Sequence, residues 1–335
     1  MTVSKRVFNK PVVLISRCIE FDAVRYNGDR ISSHEVAVMK PYVSFIPVCP
    51  EVEIGLGIPR DTIRIVRKDE SDHLIQPSTG ADLTDQMNTF CSSLLQNLPV
   101  VDGFILKNRS PTSGISGVNI YATTEKSASI GKGAGFFGRM VLDQFDGYPI
   151  EDEGRIRNSR VRDHFLTRIF MLADLDPILG NPSYQALTRF HAQNKLALLA
   201  YGQKTLKSLG NIVANRDNLT ISDLTSLYRR TLLEGIKRPA RYTSHINVLH
   251  HALGYFSEDL MPEEKAFFLD CVDNYRDGNL PISALKKMLQ IWIIKYNSPN
   301  LSNQTYFAPY PDTLMELEGS LIERGRDMYP DPEGL

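Results

Sequence analysis

Cysteine is scarce in this chain: Cys18, Cys49, Cys91 and Cys271 are the only four. No two of them form a C-x-x-C pair, which leaves a zinc ribbon or a thioredoxin-like dithiol unsupported. Four thiols in 335 residues do not make a disulfide scaffold either. There is no uninterrupted apolar run near the roughly 18 residues of a membrane span, so no membrane partner is expected. Met1-Thr2-Val3-Ser4-Lys5-Arg6 is not followed by an apolar segment, so no secretory leader is expected and the cytoplasm is the expected compartment. Internal repeats and low-complexity tracts are absent, and nothing points to an obligate protein partner. An excess of either charge is lacking too, since 38 Lys and Arg face 39 Asp and Glu.

What is present is an ordinary globular balance, 42% apolar and 23% charged, in a length that suggests two domains. The expected division is an α/β domain over 1–150, a connecting helical segment over 151–185, an all-α domain over 186–310 and a tail over 311–335. Within the first part, Val12-Val13-Leu14-Ile15, Val43 to Val48 and Gly103-Phe104-Ile105-Leu106 are short apolar runs with helical segments between them. Such runs read as parallel strands buried on both faces. Leu83 to Leu98 reads as one of the intervening helices, with Leu83, Met87, Phe90, Leu94 and Leu95 on one stripe. The fold class is therefore an α/β domain with a mainly parallel sheet, followed by an all-α domain.

From about Glu151 the strand signal fades. Ser183 to Leu209 reads as one helix stopped by Gly210-Asn211, and Thr220 to Asp223 as a capping box. Phe267, Cys271 and Tyr275 form the stripe of a helix opened by Pro262 and ended by Gly278. The tail from Asn297 is expected to wrap over the surface.

Each parallel strand runs into residues with chemical potential: Ser16-Arg17-Cys18, Cys49-Pro50-Glu51 and Lys107-Asn108-Arg109-Ser110-Pro111. Open parallel sheets bind ligands outside the carboxyl ends of their strands, so the three ends converge on one crevice. Free cysteines are mostly small buried hydrophobes, which suits Cys91 and Cys271. Cys18 and Cys49 sit where loops leave strands, where a thiolate can bind a soft metal or attack as a nucleophile. Arg60 and Arg64 are candidates for phosphate or for fixing the cysteine loops. Gly131 to Gly135, before Phe136, lacks the spacing of known phosphate loops and reads as a flexible turn.

The runs Ile15-Ser16-Arg17-Cys18, Arg25-Tyr26-Asn27-Gly28, Pro47 to Val52 and Ser110-Pro111-Thr112-Ser113-Gly114 resemble the thiouracil desulfidase family. The helical part, through His245 to Tyr255 and Pro309-Tyr310-Pro311, resembles the partner domain fused to it in tRNA 4-thiouridine desulfidases. The resemblance implies a 4Fe–4S cluster held by three cysteines, with one iron left open for the thiocarbonyl sulfur, and conversion of C=S to C=O. It implies Cys18 and Cys49 as ligands, Glu51 as the acid/base group and Ser110 as a catalytic group that positions the substrate or the sulfur. Lys107 and Arg109 flank the third strand end and, with Ser16 and Arg60, are the candidates for substrate contact. One position departs from the pattern: Ser113 stands where the family carries its third cysteine. A hydroxyl is a harder and less acidic ligand than a thiol.

Residues 186–250 carry ten basic side chains against three acidic ones, a local charge of +7. This block makes RNA the expected partner, as tRNA or as a thiolated nucleobase within it. Lys204, Lys207, Arg229, Arg230, Lys237, Arg238 and Arg241 are the candidate phosphate contacts, and Tyr201, Tyr228, Tyr242 and His245 the candidate stacking groups. The alternative to an enzyme is a cluster-free RNA-binding or sensor protein.

Overall fold

The computed structural model describes residues 6–125 and 127–315. The leaderless start expected over residues 1–5, and the tail beyond residue 315, lie outside the described residues. Among the described residues the strands are Val12–Ser16 (β1), Ser44–Val48 (β2), Arg64–Lys68 (β3), Ser71–Gln76 (β4), Ala81–Asp82 (β5), Gly103–Leu106 (β6), Val118–Tyr121 (β7), Ser129–Gly133 (β8) and Ile150–Asp152 (β9). The helices interleaved with them are His34–Met39 (α1), Pro50–Glu53 (α2), Thr84–Gln96 (α3) and Phe136–Gln144 (α4).

One sheet has the order β2-β1-β6-β9 and is parallel throughout. Its centre is buried on both faces, with Val13, Leu14, Ile15, Phe104, Ile105 and Leu106 wholly inside, as parallel strands require. β9 was not legible in the sequence, where the strand signal ends near Glu151. All four strands end on the same edge, so Arg17-Cys18, Cys49, Lys107 and Glu153 leave the sheet side by side.

The second sheet, ordered β5-β4-β3-β7-β8, is antiparallel except where β3 meets β7. One face, with Ile65, Leu74, Val118 and Ile120, packs on Met87, Cys91 and Leu95 of α3 and on Phe136, Phe137 and Val141 of α4. The other face carries Arg64, His73, Asn119 and Tyr121, with the buried Val66 and Ile75 among them. Gly131 to Gly133, read as a turn, belongs to edge strand β8.

From residue 159 the chain is helical: Ser159–Gly180 (α5), Tyr184–Gln193 (α6), Lys195–Tyr201 (α7), Gln203–Val213 (α8), Ile221–Gly235 (α9), Tyr242–Gly254 (α10), Pro262–Arg276 (α11) and Ile282–Lys295 (α12). The single helix expected over 183–209 is three. Its first break is at Asn194, whose side chain donates to the Phe190 carbonyl and accepts from Thr305. The second is at Gly202, where φ is 144°, and Gly210 lies inside α8 rather than ending it. On α11 the buried side is Phe268 and Val272, because Phe268 meets Trp292 of α12 at 5.2 Å between ring centroids. The expected stripe is therefore turned by one residue and Phe267 is exposed.

The two halves share elements. The first part of α5 places Phe165, Leu166, Ile169 and Phe170 in a core of the α/β half. Its second part places Met171, Leu172, Leu175 and Ile178 in the helical core. The segment after Asn297 does not merely cover the surface: Tyr306 and Phe307 enter the helical core, and Tyr310 and Leu314 the α/β core. No helix among the described residues is long and apolar enough to cross a membrane.

Candidate functional site

The carboxyl ends of the parallel strands are tied to one another by their own side chains. Ser16 Oγ accepts the Lys107 backbone N–H at 2.9 Å, joining the ends of β1 and β6. Glu153, just after β9, accepts the Asn108 N–H at 2.7 Å and pairs with the Lys107 ammonium. Cys49 follows β2 in extended conformation and caps α2, with Pro50 at the first helical position.

The loop from Lys107 to Gly114 forms the third wall. Arg109 holds a left-handed backbone, with φ 55°, uncommon for a non-glycine residue. Ser110 Oγ accepts the N–H groups of Thr112 and Ser113 at 3.2 and 3.1 Å. The loop lies directly on the start of α4. Gly135, Phe136 and Gly138 donate their N–H groups to the carbonyls of Gly114, Pro111 and Thr112. A Cβ on Gly138 would stand 2.3 Å from the Gly114 carbonyl oxygen, so glycine is required there by close approach. The amides at this helix start are thus taken by the chain itself.

Glu51 sits at the centre. Its Oε2 pairs with Arg60, whose Nε lies 2.9 Å away, and its Oε1 accepts the Thr112 hydroxyl at 2.9 Å. Thr112 Oγ1 is in turn 2.9 Å from Ser110 Oγ. Two hydroxyls therefore link Ser110 to the carboxylate. Arg60 also donates to the Val24 and Gly57 carbonyls at 3.0 and 3.3 Å, and its Nη2 lies 4.0 Å from Cys49 Sγ. That one guanidinium fixes Glu51 and the loops on either side of Cys49.

These residues line a cavity of about 270 Å³ that takes in Ser16, Cys18, Cys49, Glu51, Arg60, Lys107, Arg109, Ser110 and Ser113. The crevice predicted from strand ends thus gathers the candidate residues of the α/β half except Arg64, which lies outside it on β3. Cys18, Cys49 and Ser113 are nearly inaccessible to solvent. Burial pushes the Cys18 thiol up to about 12, and the neighbouring Cys49 adds to it. Burial pushes Cys49 up as well. Two buried thiols of this kind become thiolates only when a cation replaces their protons. The Ser113 hydroxyl has no hydrogen-bond partner among the described residues. The donor set facing the cavity is thus two sulfurs and one oxygen. No group of three or more His, Cys, Asp or Glu able to hold a metal occurs among the described residues. A 4Fe–4S cluster fits this set with two strong corners and one weak one. Cys91 lies on the buried face of α3 and Cys271 on α11, and neither lines the cavity.

Sequence reasoning passed over two participants. Thr112 stands inside the Ser110 to Gly114 run, so its place was visible and its role was not. Glu153 follows a strand of three residues that left no pattern.

The basic block of the helical half divides in two. Lys204, Lys207, Arg230, Arg238 and Arg241 are exposed and make no ion pair among the described residues. Arg229 is half-buried, bonded to the Tyr148 hydroxyl and paired with Asp176. Lys237 pairs with Asp146. These two tie the halves of the molecule together. Of the four rings expected to stack, Tyr242 is exposed. Tyr228 is wholly buried against His191, Tyr201 bonds His164, and His245 bonds Tyr306.

Comparison with known proteins matches residues 13–153 to the family described as 2-thiouracil desulfurase. Residues 195–311 match the family described as a protein of unknown function, DUF1722. The uncharacterized protein YbgA of Escherichia coli (strain K12) is 30% identical over 158 residues, 47% of this chain and 94% of its own length. A solved structure, the [4Fe-4S]-dependent thiouracil desulfidase TudS, is 26% identical and covers 44% of this chain and 93% of its own, with a TM-score of 0.35. The chain belongs to the same family as YbgA, and joins a region matching 2-thiouracil desulfurase to one matching DUF1722.

Proposed function

We propose that this chain removes sulfur from a thiolated uracil, and that its substrate is 4-thiouridine in tRNA. The observation that carries the reading is the convergence of two buried thiols, a hydroxyl and an oriented carboxylate on one cavity at the strand ends of a 2-thiouracil desulfurase domain. Overall, the C=S bond is replaced by C=O, the oxygen coming from water and the sulfur leaving as sulfide. Cys18 and Cys49 would hold a 4Fe–4S cluster as thiolates, with the Ser113 hydroxyl at the third corner. When bound, the cluster supplies a soft iron for the thiocarbonyl sulfur.

The remaining work belongs to the chain. Glu51 takes the proton of the water that adds at the thiocarbonyl carbon, with Arg60 and Thr112 fixing which oxygen faces the cavity. Ser110 holds the Thr112 hydroxyl in place and positions the base edge. Lys107 and Arg109 flank the mouth and hold the nucleotide, while Ser16 fixes Lys107. The exposed Lys204, Lys207, Arg230, Arg238 and Arg241 supply phosphate contacts to the rest of the tRNA, and the target base leaves its stack to enter the crevice.

The test is anaerobic reconstitution with iron and sulfide, applied to this chain and to Ser113→Cys, followed by metal analysis and turnover of 4-thiouridine tRNA. Ser113→Cys is expected to retain more iron and sulfide per chain and to convert substrate faster. If neither protein binds iron or converts the thiocarbonyl, the desulfidase reading fails. The departure at Ser113 favours one second reading, a cluster-free protein that binds thiolated RNA without turning it over. Tight binding of thiolated tRNA with no iron in either form would establish that reading.

A further inference from the structure

A second cavity, of about 410 Å³, lies along β3, β7 and β8 of the antiparallel sheet. Its lining includes Arg64 of β3, Asn119 and Tyr121 of β7, Lys132 of β8, and Arg109. Arg109 lies in the walls of both cavities, as do Thr62, Ile63 and Pro111. The two spaces are therefore neighbours across a single loop.

The chemistry of this groove is one-sided. Three cations line it and no Asp or Glu does. Lys132 and Arg109 make no ion pair among the described residues. Arg64 donates to the Glu125 carbonyl and lies 4.9 Å over the Tyr121 ring, which leaves its charge uncancelled by any carboxylate. Elsewhere in the α/β half, many cations are spent internally: Arg60 on Glu51, Arg67 and Arg139 on Asp72, Arg155 on Glu151. The register explains the grouping. Lys132 pairs across from Asn119, and Tyr121 follows two residues along the same strand, so all three share a face.

We infer that this groove is a phosphodiester site for the RNA strand flanking the target base, with Arg64, Arg109 and Lys132 on phosphates and Tyr121 under a neighbouring base. The inference rests on the reading of the crevice as a thiouracil site and adds a track that leads into it. It makes the α/β half itself an RNA-binding surface, independent of the helical block. A strand entering the groove passes Arg109 and delivers one base into the cavity beyond. Stacking on an aromatic ring and cationic contacts to the backbone are the usual means of holding single-stranded nucleic acid.

The experiment uses the full chain, a short RNA oligonucleotide carrying one 4-thiouridine, free 4-thiouracil and 4-thiouridine 5′-monophosphate. Each is measured against the parent, Lys132→Ala and Arg64→Ala/Lys132→Ala. Two lost contacts to a single strand are expected to lower the slope of log affinity against log salt by about 1.4. The same loss weakens the oligonucleotide roughly tenfold near 0.15 M salt. Lys132→Ala, on an exposed edge strand, is expected to give about half that change in slope with no loss of fold. Binding of the free base is expected to stay unchanged in both variants, because neither side chain lines the crevice. An unchanged oligonucleotide affinity and salt slope would overturn the groove while leaving the crevice reading standing. A monophosphate that competes as well as the oligonucleotide would overturn it too, since one phosphate would then suffice. Failure of the parent to bind the free base would instead remove the crevice reading.

Discussion

Replacing Asp102 by Asn should change how stability depends on pH. Asp102 precedes β6 and is 1% exposed. Its Oδ2 accepts the Val12 N–H at 2.7 Å, and its Oδ1 finds no donor among the described residues. Asp176 lies beside it, held by Arg229 from the helical half. Burial, with the Asp176 charge added, pushes the Asp102 carboxyl up from 3.8 to about 8. At neutral pH it therefore keeps its proton, which gives the orphaned oxygen a hydrogen bond to donate to Asp176. Between those two values the folded state binds a proton that the unfolded state has lost. Stability then falls with rising pH, by at most about 1.4 kcal/mol per unit. His164 and His245, which burial lowers to about 4, act in the opposite sense below their ordinary value of 6.5. Above that pH the Asp102 contribution stands out, and stability is expected to fall as pH rises into the alkaline range. Asp102→Asn mimics the protonated acid, accepting from Val12 and donating to Asp176, and has no proton to lose. Urea denaturation followed by the fluorescence of Trp292, buried in the helical core, should show the two proteins diverging over this window, with the Asn variant the more stable at pH 8.5. Curves that run parallel would refute the assignment of a shared proton.

Three further expectations follow from the same contacts. Arg60→Met leaves the half-buried Glu51 without its partner and frees the Val24 and Gly57 carbonyls, so a loss of about 3 kcal/mol is expected by chemical denaturation, with the Cys49 loop more open to thiol alkylation. Gly138→Ala drives a methyl into the Gly114 carbonyl and should cost about 2 kcal/mol or more, displacing the Ser110 loop; unchanged stability would mean the approach is looser than described. Arg229→Met should lower stability by about 3 kcal/mol, whereas Arg230→Met on the exposed face should stay within about 0.5 kcal/mol and weaken RNA binding instead.

The parallel sheet was readable because strands buried on both faces are written as continuous apolar runs, and their ends then name Cys18, Cys49 and Ser110. The antiparallel sheet was hidden for the converse reason. β7 alternates buried Val118 and Ile120 with outward Asn119 and Tyr121, β5 is two residues long, and β8 is rich in glycine. Only its register against β7 makes it a strand. The RNA candidates divided because a local sum of charge ignores partners supplied from afar. Asp176 lies 53 residues before Arg229, and Asp146 91 residues before Lys237. The link from Ser110 through Thr112 to Glu51 likewise spans 61 residues, and no local pattern records it.

The helix α5 has a consequence for any ligand that touches both halves. A rod of 22 residues, roughly 33 Å at the usual rise, is rooted in both cores. A flexible tether would lose freedom whenever a ligand bridged the halves, but this joint has little left to lose. The distance from the crevice to the exposed helical surface is thus held nearly constant, and a ligand reaching both would have to match it. The same rooting means that cutting the chain near residue 153 would strip Phe165, Leu166, Ile169 and Phe170 from the α/β core, so the two halves should rise and fall together when the protein is heated.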